Sequence, residues 1–164
     1  MKNTLLLCLF FDFGYCQAQD LSPFKARNTV YLELLGSGGV YSVNYERLFS
    51  IKTNHAYGFR VGPSFNLSGP TGLIGELFTV VGAGSHHGDF GLGFIGSYGQ
   101  DSEGPYFTSK RAYLSAVPRL SYRYQKPTGG LMLRAGFTPF IKISEASETK
   151  AFRPWFGLSV GYSF

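Results

Sequence analysis

Eight charged residues stand out as the side chains most able to do chemistry together: Glu33, Glu46, Glu76 and Asp89, and Arg60, Arg119, Arg123 and Arg134. Four carboxylates and four guanidiniums can build an ion-paired scaffold, line a narrow path for a solute, or supply a buried acid–base pair. Arginine stays protonated in proteins and is a poor proton carrier, which favours the scaffold over proton transfer. The histidines offer less. His55, His86 and His87 are the only three, and His86-His87-Gly88-Asp89 is a weak metal pattern, because a structural site draws on about four ligands. A solvated turn is the expected reading of that stretch. Gly36-Ser37-Gly38-Gly39 lacks the Lys-Ser/Thr ending of a phosphate-binding loop and reads as a hairpin turn. No catalytic residue, metal or cofactor is expected.

Those residues sit in a chain whose make-up suits paired strands. It has 164 residues, enough for one domain, and only 15% are charged, against about 25% in an average soluble protein. Glycine (22), phenylalanine (16) and tyrosine (11) are abundant. Composition alone fits a soluble glycine-rich β-sandwich as well as a sheet at a lipid boundary. The net charge is +5, but no basic run accompanies it. Nucleic acid is therefore not an expected partner.

The first residues read as a secretory signal: Lys2, an apolar stretch from Leu5 to Phe11, then small residues near Cys16-Gln17-Ala18. The expected division is a signal at 1–18, a short lead-in at 19–29 and a barrel at 30–164. Cleavage after Ala18 is preferred to cleavage after Gln19. A lipoprotein anchor at Cys16 is the rival, opposed by the bulky Tyr15 before it. Cys8 and Cys16 would leave with the signal, and thiol chemistry with them. No later stretch reaches the roughly 18 apolar residues of a membrane helix, so a membrane-spanning reading requires strands.

Period-two alternation defines eight candidate strands, at 30–36, 40–49, 56–67, 73–82, 88–98, 112–124, 130–141 and 153–164. The last is the clearest. Phe156, Leu158, Val160, Tyr162 and Phe164 share one face, while Gly157, Ser159, Gly161 and Ser163 share the other. A soluble sheet shows water a charged or long polar face, and this strand has none. Pro63 marks a bulge or a weakened third strand. Loops are expected at 36–39, 68–72, 99–111 and 142–152, with the three histidines in the turns at the other end. Consecutive hairpins imply an all-β, eight-stranded antiparallel up-and-down transmembrane β-barrel. With the apolar faces turned to lipid, the eight charges named above collect inside. Arg47 alone would face lipid, near a strand end from which it can snorkel to the headgroups.

The signal, the hairpin order and the ending Gly161-Tyr162-Ser163-Phe164 resemble the small outer-membrane β-barrel proteins of Gram-negative bacteria, such as outer membrane proteins A and X. The resemblance implies outer-membrane lipids as surroundings. It implies recognition of Phe156, Leu158, Val160, Tyr162 and Phe164 by the barrel-assembly machinery. It also implies termini in the periplasm, with loops 99–111 and 142–152 free to meet an extracellular partner. Some such barrels modify lipid A, but they need a His near a Ser or acid at the outer leaflet. The rival is a soluble lipocalin-like carrier, which would turn the aromatics inward around an apolar ligand.

Overall fold

The structure, a computed structural model, describes residues 24–52, 55–66, 69–102, 108–143 and 152–164. The alternating stretches form ten strands: β1 (Asn28–Leu35), β2 (Tyr41–Ile51), β3 (His55–Asn66), β4 (Gly69–Ala83), β5 (His86–Ser102), β6 (Thr108–Gln125), β7 (Gly130–Phe137), β8 (Phe140–Lys142), β9 (Phe152–Arg153) and β10 (Phe156–Ser163). Each of β1 to β6 pairs antiparallel with the next, β6 pairs with β7 and β8, β7 with β10, and β10 returns to β1. The sheet is therefore a closed eight-stranded up-and-down barrel, with β7 and β8 in one stave and β9 and β10 in another.

The two split staves have a local cause. Thr138-Pro139 and Pro154-Trp155 interrupt them, because proline has no N–H to give the ladder. The breaks lie side by side, bridged by Thr138 N–H donating to the Trp155 carbonyl at 2.8 Å.

Several turns are tighter than the sequence pattern predicts. His86 and His87 open β5, behind a turn at Gly84-Ser85, and His55 opens β3. The expected loop at 68–72 is mostly ladder, since Gly69, Pro70 and Gly72 pair with Asn66, Phe65 and Ser64, with a bulge at Ser64/Phe65. The expected loop at 99–111 is mostly a continuation of β5 and β6, paired out to Ser102 and Thr108. Polar composition masked these pairings: backbone hydrogen bonds do not require apolar side chains. Arg47 is exposed as expected, but β2 runs four residues further, to Ile51.

The 36–39 hairpin also departs from a simple exposed turn. Gly36–Gly38 forms a buried 3-10 turn closed by Leu35 N–H to the Val40 carbonyl at 2.7 Å. Leu35, Gly36 and Gly39 all take positive φ, costly for Leu and free for Gly. The turn folds into the mouth: a Cβ on Gly38 would meet Ser42 and Ile74, and one on Gly157 would meet Gly36.

The signal lies outside the described residues. Part of the expected lead-in is packed against the barrel. Lys25 and Ala26 N–H both donate to the Pro127 carbonyl, and Phe24 packs at a tilt against His87, 5.0 Å between centroids.

Candidate functional site

Strand alternation decides what the lumen contains. Odd positions of β1, β5, β6 and β10, and even positions of β2, β3, β4 and β7, are the buried ones. Those positions carry all eight charges singled out above. The outer positions carry Val30, Leu32, Leu77, Leu92, Leu120, Leu133, Val160 and their like, each at least 39% exposed.

The eight charges form one connected network. Arg60 sits between Glu33 (Nη2–Oε2, 2.7 Å) and Glu76 (Nη1–Oε2, 3.1 Å). Arg119 Nη2 lies 2.9 Å from Glu76 Oε1 and 3.0 Å from Asp89 Oδ1. Asp89 Oδ2 then meets Arg134 Nε at 2.9 Å and Arg123 Nη1 at 3.4 Å. Glu46 closes the far side, on Arg134 at 2.7 Å and on Arg123. Four negative and four positive groups thus cancel with no residue left over. The Glu76 contacts are ion pairs by distance but are not aligned as hydrogen bonds.

Strand register explains why these partners are needed. Arg123 and Arg134 are directly opposite each other on β6 and β7, a like-charge pair that is unfavourable alone. Glu46 and Asp89 each bind both of them. Aromatic faces take up the remaining cationic surface. The Arg134 guanidinium lies 4.9 Å from the Tyr31 ring centre and that of Arg119 5.5 Å from Phe78. Polar neighbours add to the shell: Ser42 Oγ donates to Glu33 at 3.2 Å, and Arg123 Nε to Gln125 Oε1 at 2.7 Å.

Glycine makes room for the large groups. A Cβ on Gly91 would stand 1.9 Å from Glu76 Oε1, one on Gly58 2.5 Å from the Phe78 ring, and one on Gly161 2.3 Å from the Tyr31 side chain. Each is an inward residue on the strand next to the bulky one. The lumen is filled by alternating a long side chain with none at all, as an interior only wide enough for side chains requires.

Apolar layers lie beyond the charges at both ends. Leu48, Ala56, Phe78 and Val80, with Phe24 and Ile51 against them, occupy the end where the termini meet. Ile74, Ile95 and Val117, with Phe140, occupy the other, beside the tucked Gly36–Gly38 turn.

The histidines are apart from the network. His87 Nε2 donates to the Gln125 carbonyl at 3.1 Å and is buried under Phe24. His86 packs on Tyr122 and Tyr124, and His55 on Tyr57. No cluster of three metal-ligating side chains occurs among the described residues. Tyr31 and Phe78, the aromatic contribution to the network, carried no signal in the sequence beyond their inward parity.

Buried ions inside and aliphatic and aromatic side chains outside reverse the order of a water-soluble protein. That reversal in a closed sheet defines a membrane-spanning β-barrel. The arrangement a lipocalin-like carrier requires is the opposite one. The fold is similar to the crystal structure of the N-terminal β-barrel domain of Pseudomonas aeruginosa OprF. The likeness covers 89% of this chain and 100% of that one, at a TM-score of 0.57 and 10% identity. At that identity the likeness is one of fold. No family profile matches the chain, and no curated protein matches its sequence.

Proposed function

We propose that this chain is an integral outer-membrane β-barrel protein with a structural or surface-interaction role, and that its lumen is a charge-paired plug. One observation carries the reading: every inward strand face is ionic, small or capped by an apolar layer, while the outward faces are aliphatic and aromatic. The outward run from Phe156 to Phe164 spans nine residues, within the roughly 9–11 that a tilted strand needs to cross a bilayer. The likeness to an OprF barrel domain supports the same reading. It gives the barrel no catalytic step and no cofactor.

Two partners belong to this proposal. Phe156, Leu158, Val160, Tyr162 and Phe164 form an exposed apolar face of β10 and its final residue, the surface offered to the barrel-assembly machinery. The β5–β6 hairpin extends past the short β8–β9 hairpin and, with the 142–152 segment, is the surface offered to an extracellular partner.

Fractionation and heat-modifiable gel mobility test the reading. The mature chain is expected in the outer-membrane fraction, running faster unheated than boiled. In planar bilayers it is expected to give no conductance steps. Recovery in the soluble fraction without detergent would overturn the membrane reading, and regular ion conductance would overturn the plug. Phe164→Ala is expected to slow assembly in cells while leaving refolding from urea into detergent intact.

A further inference from the structure

The described charges are segregated. Every described acid whose side-chain burial is defined lies in the lumen. Outside, the exposed cations Lys25, Arg27, Arg47, Lys52 and Lys126 lie at the end where the termini meet, against Arg153 at the opposite mouth. Their positions follow from the ladder. Arg47 is opposite Asn28, Lys52 follows β2, Lys126 follows β6, and Lys25 is tied to Pro127 in the β6–β7 turn. None of the five makes an ion pair among the described residues.

Exposed aromatics lie on the outer wall at this end: Tyr122, Tyr162 and Phe164, with Phe49 and Tyr57 beyond Arg47 on the ladder. Aromatic girdles of this kind flank the apolar band of a membrane barrel, with tyrosine hydroxyls at headgroup level. Lys25, Arg27, Lys52 and Lys126 therefore stand at headgroup level, and Arg47 reaches it by extending past Phe49. We propose that this rim is a basic collar that selects anionic phospholipid headgroups, an inference that rests on the membrane-barrel reading above. Charge complementarity carries it, as Lys and Arg side chains near a membrane surface attract anionic headgroups. A lipid annulus fits better than a docked acidic polymer. Arg47 projects from the outer wall, on the same face as Val43 and Phe49, and the lumen end is already closed by Phe24.

The test uses the full mature chain refolded into vesicles of equimolar phosphatidylcholine and phosphatidylglycerol, then extracted into polymer-bounded nanodiscs. The phosphatidylglycerol ratio of the discs is compared with that of protein-free discs. Roughly two- to five-fold enrichment is expected, falling as salt rises. Substituting Arg47→Gln, Lys52→Gln and Lys126→Gln together is expected to abolish it, while Lys142→Gln with Arg153→Gln at the opposite mouth leaves it. Heat-modifiable mobility of each variant shows that the barrel is folded. A folded, inserted barrel without enrichment would overturn the collar, as would equal loss in both variants. No enrichment together with tight binding of soluble polyglutamate would overturn it in favour of an acidic polymer. A chain that never enters vesicles would instead sink the membrane reading itself.

Discussion

At the scale of single residues, the buried charges differ in how replaceable they are. Glu46 serves both Arg123 and Arg134, which are cross-strand neighbours. Glu46→Gln is expected to destabilise the barrel by about 3–5 kcal/mol, because the two facing guanidiniums are then left to share Asp89, which Arg119 also engages. Glu33→Gln is expected to cost less, about 1–3 kcal/mol, because Arg60 keeps Glu76 at 3.1 Å. Urea unfolding in vesicles, followed by gel mobility, ranks the two; equal effects would contradict the shared-partner account. The glycines permit a sharper comparison. Gly91→Val places carbon where the Glu76 carboxylate lies, whereas Gly75→Val, on the outer face of the adjoining strand, meets nothing within 4 Å. The first is expected to impair refolding and the second to leave it unchanged or slightly improved.

At the scale of elements, replacing residues 103–107 by a two-residue turn is expected to leave heat-modifiable mobility intact, since β5 and β6 are paired from Tyr124 up to Ser102 and Thr108. Loss of the folded band would mean that the tip holds the wall together. How legible these elements were varies with the signal. Facing was readable wherever large and small residues alternate, as in β10, because side-chain direction follows a period of two. Strand ends were not readable at Gly69-Pro70 or Gly99–Ser102, where the ladder continues through residues with polar or absent side chains. Nor were the Thr138-Pro139 and Pro154-Trp155 breaks, whose alignment depends on register between two staves. The same limit applied to the lumen. Parity puts a given Arg on the inside, but which acid it meets depends on stagger around the whole cylinder, which no local pattern encodes. The inward fold of Gly36–Gly38 was hidden for another reason: its composition suits an exposed hairpin equally well.

At the scale of the whole molecule, the partition of charge is the governing feature. The eight described lumenal charges cancel, which leaves Lys25, Arg27, Arg47, Lys52 and Lys126 on the outside without an ion pair among the described residues. The ion pairs also reach across the cylinder. Glu46 on β2 meets Arg123 and Arg134 on β6 and β7, while Arg60 on β3 reaches Glu33 on β1. A half-curled sheet cannot satisfy these bonds. Were the β1–β2 hairpin still missing, Arg60, Arg123 and Arg134 would each lose one carboxylate, leaving Glu76 and Asp89 to serve all four guanidiniums. Partly zipped intermediates are thereby penalised inside the bilayer, which favours closing the seam between β1 and β10 together with insertion.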